Sequence, residues 1–191
     1  MTYDELRSSL SAYMKRTDPE TIANEPNALE LARQTVARVF YPVESEEEAD
    51  LILIDGKAVL PADFGRAVSV GQDMSYTAPR VWRQMAAISP SKLGGRYTVY
   101  DGMLHVSGAL LTVSMVYNRQ PLKIAAAATN WLAEFYPAIW LHAGRAEQYR
   151  FIEDYEGAGQ ADGFWQALAG QLGAASEVSR QAGGALRMKS R

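Results

Sequence analysis

Leu60-Pro61-Ala62-Asp63-Phe64 and Thr129-Asn130-Trp131-Leu132, the latter leading on through Tyr136-Pro137-Ala138-Ile139-Trp140-Leu141-His142-Ala143, divide this chain into its parts. The first closes a strand, because Pro61 has no N–H to give to a ladder. The second runs into a helix. Between them lies a strand-rich stretch; outside them lie helices and a glycine-bearing tail. Neither segment supplies a nucleophile, an acid/base pair or a metal cage, so both read as architecture.

Working inward, Leu51–Ile54 and Lys57–Leu60 flank Asp55-Gly56, and Arg96–Tyr100 and Met103–Val106 flank Asp101-Gly102. Each pair predicts a two-residue hairpin, since both central positions must accept positive φ. Arg66–Val70 and Leu110–Tyr117 read as further strands, and Thr77–Ala87 as a short helix with Val81, Trp82 and Met85 inward. The acidic run Glu44, Glu46, Glu47, Glu48 and Asp50 lacks the EF-hand pattern for a calcium loop. It reads as a solvated linker rather than a magnesium or calcium site.

Working outward, Thr2-Tyr3-Asp4-Glu5 has capping-box spacing, followed by the stripe Leu6, Leu10, Tyr13 and Met14. Asp18-Pro19 is a second helix start, and Asn27 is read as the cap of a third helix that buries Leu29, Ala32, Val36, Val39 and Phe40. On the C-terminal side Leu132, Phe135, Tyr136, Ile139, Ala143, Ala146 and Tyr149 form a packed face, with a break expected at Pro137. Gly157 to Gly163 reads as a hinge, and Phe164, Trp165, Leu168 and Leu172 as a last short helix. From Ala174 the composition is small, polar and finally basic, which predicts an arm outside the core.

The resulting fold class is α+β: a mainly helical bundle with a β-hairpin-rich central insertion and a flexible C-terminal arm. The boundaries are residues 1–50 for the N-terminal helices, 51–121 for the β-rich insertion, 122–173 for the C-terminal helices and 174–191 for the arm.

Composition excludes several function classes. The chain has 191 residues, enough for a sizeable core, and 48% of them are apolar, but no run approaches a bilayer span. The N-terminal residues lack a basic segment followed by an apolar one, so no secretory signal is expected. Cysteine is absent, which removes disulfides, thiolate zinc sites and a cysteine nucleophile. The net charge of −3 disfavours sequence-specific DNA binding, whose surfaces are basic. The two histidines, His105 and His142, fall in no H-E-x-x-H spacing and are read as structural or interfacial. No serine sits in a G-x-S-x-G elbow, and Gly94-Gly95 before Arg96 lacks the rest of a P-loop. The aromatics stand among apolar neighbours rather than interleaved with cations, so they pack rather than stack on nucleic acid. No enzyme, no cofactor and no metal site is expected.

Taken in order, the helix with Tyr3, Leu6, Leu10 and Tyr13, the second helix with Leu29–Ala32 and Arg38, Leu60-Pro61-x-Asp63-Phe64, Tyr97-x-Val99, Tyr117 with Pro121-Leu122, and Thr129-Asn130-Trp131-Leu132…Tyr136-Pro137…Leu141 resemble the head-to-tail adaptor (connector, head-completion) proteins of tailed bacteriophages. The resemblance covers about residues 2–155. It implies a structural virion protein, assembled in the host cytoplasm, whose ring of about twelve copies joins the portal protein to a tail or nozzle protein. DNA would pass through its lumen without sequence-specific binding, and no membrane is involved. On this reading the arm makes the partner contacts, through Arg180, Leu186, Arg187, Met188, Lys189 and Arg191. Two alternatives stay open: another tail-completion or assembly protein, and a small-ligand-binding or enzymatic domain using the β insertion as its pocket. Trp140 and Tyr136 are expected in helix packing, and Asp63 as a turn acceptor of backbone N–H groups.

Overall fold

A computed structural model of the chain describes residues 1–71, 74–88, 94–124 and 128–187. It has two compact units. Residues Met1–Ser45 and Gln120–Arg191 make one, and Glu46–Arg119 make the other. The architecture is α+β, with strands confined to the central stretch.

The first unit holds α1 (Tyr3–Met14), α2 (Pro19–Val39), α4 (Trp131–Phe135), α5 (Pro137–Phe151) and α6 (Tyr155–Arg187). Their starts follow the sequence signals. Thr2 Oγ1 accepts from Glu5 N–H while Glu5 Oε2 accepts from Thr2 N–H, so both halves of the capping box form. Asp18 accepts from Thr21 N–H at 2.9 Å, with Pro19 at the first helical position. The chain breaks at Tyr136, and Pro137 opens α5 where its missing N–H costs nothing. The core gathers Leu6 and Leu10 of α1, Leu29 and Val36 of α2, and Leu132, Ile139 and Trp140 of α4 and α5. Helices α2 and α5 approach closely at Gly144, where a Cβ would stand 2.9 Å from Leu29 Cδ2.

Several sequence expectations fail in this unit; among them, Val39 and Phe135, expected on packed faces, are exposed. Asn27 caps no third helix: α2 runs unbroken through Pro26 and Asn27. Proline there removes one helical N–H, but the buried stripe Thr21, Glu25, Ala28, Leu29, Ala32 and Val36 holds both sides to the core. Likewise, Gly157–Gly163 is no hinge and residues 174–187 are not extended, because α6 is one helix from Tyr155 to Arg187. Ala158, Ala161, Trp165, Leu168, Leu172 and Ser176 recur every three or four residues on its packed side. That stripe outweighs a cost of about 1 kcal/mol per internal glycine. Ser176 is buried and its Oγ accepts from Val43 N–H at 2.6 Å, so the packed part of the helix extends past residue 174.

The second unit contains β1 (Glu46–Ile52), β2 (Lys57–Val59), β3 (Phe64–Val70), β4 (Ser75–Tyr76), α3 (Pro79–Ile88), β5 (Arg96–Tyr100), β6 (Met103–Val106) and β7 (Thr112–Arg119). One sheet has the order β1-β7-β3 and the other β2-β6-β5-β4. Both Asp-Gly turns form as expected, with Asp55 and Gly56 at φ 51° and 72° and Asp101 and Gly102 at 52° and 71°. Around the first turn Ile54 and Lys57 exchange backbone bonds of 2.8 and 3.0 Å. The flanking strands then separate into different sheets, since Leu51 pairs with Val113 and Ala58 with Leu104. In α3, Trp82 is buried, whereas Val81, expected inward, is exposed.

The acidic run is no linker: Glu44 sits in a short 3-10 turn (Val43–Ser45) and Glu46, Glu47, Glu48 and Asp50 lie on β1. Ala49, Leu51 and Leu53 alternate with Glu48, Asp50 and Ile52, so one face joins the core and the other carries the charges. Beside a single neighbour, β7, those carboxylates also guard an exposed edge against further pairing.

Candidate functional site

Trp140 and Tyr136 lie in helix packing, as their spacing predicts. Trp140 is 1% exposed, and its indole N–H donates to the Leu29 carbonyl at 2.8 Å. Tyr136 stands edge-on to Phe40 and to Trp131, and its hydroxyl donates to Glu44 Oε2 at 2.6 Å. Burial, reinforced by that carboxylate, pushes the Tyr136 phenol well above its ordinary range. These groups brace the α4–α5 break.

Buried polar groups, invisible to apolar periodicity, lock the same helices. Glu25 is 2% exposed and receives Arg7 Nε at 3.0 Å together with the Ser11 hydroxyl. Gln148, fully buried, accepts from Asn24 at 2.8 Å and donates to the Thr21 carbonyl. Each ties α2 to a neighbouring helix and satisfies groups that burial would otherwise penalise. A charged or amide residue flanked by apolar helix positions was the available signal.

Asp63 is an acceptor, though not of a backbone N–H. Its Oδ1 receives the Tyr117 hydroxyl at 3.1 Å, which tethers the Pro61–Phe64 turn to β7. Tyr117 is buried and stacks on Phe64 at 5.8 Å. Burial first, and the Asp63 carboxylate second, push its phenol up to about 12. The Leu-Pro-x-Asp-Phe segment is therefore a turn clasp: Pro61 ends β2, Phe64 begins β3, and Asp63 holds both to the central strand.

His105 stacks flat on Tyr100 at 3.9 Å, with the Arg83 guanidinium 5.0 Å from the same ring. His142 stacks on Phe164 at 5.2 Å and receives a hydrogen bond from Arg145 at 3.2 Å through Nδ1. Burial depresses the pKa of both; the nearby cation, Lys57 for His105 and Arg145 for His142, adds to it. Neither faces a carboxylate dyad or a nucleophile within hydrogen-bond reach. Among the described residues no three His, Asp or Glu side chains converge as a metal ion would require. No described helix is long and apolar enough to cross a membrane. In the β-rich unit an open groove of about 550 Å³ runs past Phe64, Arg66, Val68, Tyr76, Tyr97 and Val99. It offers rings and one cation rather than an acid/base pair.

Of the six residues assigned to partner contact, Arg180, Leu186 and Arg187 fall on the last turns of α6. Met188, Lys189 and Arg191 lie outside the described residues. The distinctive side chains among the described residues are braces, a turn clasp and exposed rings.

No curated protein matches the chain. The family profile of SU10 adaptor protein matches residues 1–189. That span covers nearly the whole sequence, includes the helices, the clasp and the β-rich unit, and agrees with the resemblance carried by the Leu-Pro-x-Asp-Phe and Thr-Asn-Trp-Leu segments. The chain therefore belongs to the SU10 adaptor protein family, the bacteriophage head-to-tail adaptors, and is a structural protein of the virion that works with portal and tail components.

Proposed function

We propose that this adaptor works as an oligomeric ring, of about twelve copies, between the portal and the tail or nozzle protein. The ring surrounds the channel through which DNA leaves the head. The carrying observation is the family match over residues 1–189, which takes in both compact units. Cyclic head-to-tail contact uses two different surfaces of each copy and closes at one rotation angle. The net charge of −3 suits a conduit, since an acidic wall repels phosphate and holds none of it. Assembly takes place in the host cytoplasm.

The C-terminal segment, with Arg180, Leu186 and Arg187 on α6 and Met188, Lys189 and Arg191 following in sequence, is the docking element toward the portal or a neighbouring copy. Its support is position: Ser176 is the last described residue buried in the helical unit, and the basic residues follow it. Truncation after Val178 keeps Ser176 and its bond to Val43 while removing the helix end. The truncated chain should melt with wild type yet fail to enter particles, with free assembly kept if the segment docks on the portal and lost if it docks on a neighbouring copy. Truncated chains incorporated at wild-type occupancy would remove the helix end from the docking role.

A further inference from the structure

Arg145 has no carboxylate partner among the described residues, although it is mostly buried on α5. Its Nη1 donates to His142, its Nη2 reaches only the Tyr149 hydroxyl at 3.4 Å, and its Nε is buried with no acceptor. The guanidinium lies 5.2 Å from the Tyr13 ring and 5.8 Å from the Tyr149 ring. Because a guanidinium only donates, His142 Nδ1 must be the unprotonated nitrogen, and the imidazole beside it is neutral. Tyr13, beside the guanidinium, and Phe164, stacked on His142, are 54% and 68% exposed. A half-buried cation in an aromatic frame, unmatched by an anion, is the composition of an interface anchor.

Resting on the ring reading above, we infer that Arg145 receives a carboxylate from the β1 edge of a second copy of this chain. The outward face of β1 presents Glu48, Asp50 and Ile52, with Ile54 beyond. Asp50 is exposed and has no hydrogen-bond or ion-pair partner among the described residues. Ile52 is 74% exposed and stands on the same face, about 7 Å along the strand. A carboxylate with an aliphatic neighbour at that spacing complements a guanidinium beside Tyr13, with Phe164 exposed on the adjoining His142. The anchor and the acidic edge are different surfaces of one chain, which is what a heterologous, ring-closing contact requires. Protein is favoured over DNA phosphate because the exposed rings of Tyr13 and Phe164 offer apolar surface that Ile52 beside Asp50 would cover and a phosphate would not, whereas exposed Lys15 and Arg16 after Tyr13 make DNA the outcome to test against.

The test is the concentration at which the full chain assembles, read by mass photometry and sedimentation velocity. Arg145→Glu and Asp50→Lys should each raise it at least tenfold, and the two combined in one chain should recover most of the loss. Arg145→Gln, with thermal melting as a folding control, covers the case in which the reversed charge does not fold. Wild-type assembly in all the single variants overturns the pairing and leaves the ring standing. If those variants instead lose retention of a short DNA duplex, Arg145 is a phosphate contact and the inference is overturned in that direction. A wild-type chain that stays monomeric at every concentration overturns both the ring and the pairing.

Discussion

Replacing Trp140 by alanine is the sharpest probe of the helical unit, because the indole joins α5 to α2 in two ways. It is 1% exposed within the core that includes Leu29, Leu132 and Ile139. Removing a packed tryptophan costs about 3–5 kcal/mol through lost transfer energy and the cavity left behind. The indole N–H also donates to the Leu29 carbonyl at 2.8 Å. That carbonyl sits inside α2 and keeps its helical partner, so the second bond adds only about 1 kcal/mol. The sum, about 4–6 kcal/mol, is a large share of the roughly 5–15 kcal/mol that holds a domain folded. Urea unfolding followed by far-UV circular dichroism, which the helices dominate, should show the midpoint collapse with the slope preserved. Trp140→Phe separates the contributions: it keeps a ring in place, loses the bond, and should cost about 1–2 kcal/mol. A loss below about 1.5 kcal/mol in Trp140→Ala would refute the brace assigned to this residue.

Three further perturbations test the clasp, a turn and a cap. Tyr117 keeps its phenol proton from its ordinary value near 10 up to about 12, so its contribution is complete below pH 10 and drains away as pH rises through 12. Two units correspond to about 2–3 kcal/mol of alkaline stability. Asp63→Asn keeps an acceptor but drops the charge, so the fold should hold at pH 7 while the Tyr117 titration, followed by NMR, moves down. Unchanged titration would unseat the clasp. Gly56→Ala adds a Cβ at φ 72° and 2.9 Å from the Val106 carbonyl oxygen, and should cost about 1–3 kcal/mol by thermal unfolding, where a neutral change would contradict the turn geometry. Asp18→Ala removes the α2 cap and should lower thermal stability measurably. Hydrogen bonds at Thr21 hold the Asp18 carboxyl below its ordinary value, so this contribution is present above about pH 4 and lost as pH falls further. An acid-unfolding midpoint equal to that of wild type would count against it.

Local chemistry made much of this fold legible. Asp55-Gly56 and Asp101-Gly102 announced their turns because positive φ at two adjacent positions admits few residues. Thr2, Asp18 and Pro137 marked helix starts because capping and a missing N–H are properties of single residues. Failures came where tertiary packing decides. The α6 stripe from Ala158 to Ser176 overrides the glycines that suggested a hinge. Asp63 finds Tyr117, 54 residues away, and no local rule names that partner. Splitting β1 and β2 into separate sheets depends on β6 and β7, which come much later in the chain. The Arg145 anchor joins Tyr13, His142 and Phe164 from three helices, so neither its rings nor its unmatched charge is visible along the sequence.

The central claim is that copies of this adaptor form one ring at the junction of head and tail. An electron-microscopy map of the intact particle, resolved well enough to trace helices, tests it most directly. The expected result is a closed ring below the portal, each copy showing a helical unit with a 33-residue α6 and a two-sheet β-rich unit, the ring surrounding the DNA channel. Finding the chain in single copy, or away from the portal–tail axis, would contradict it.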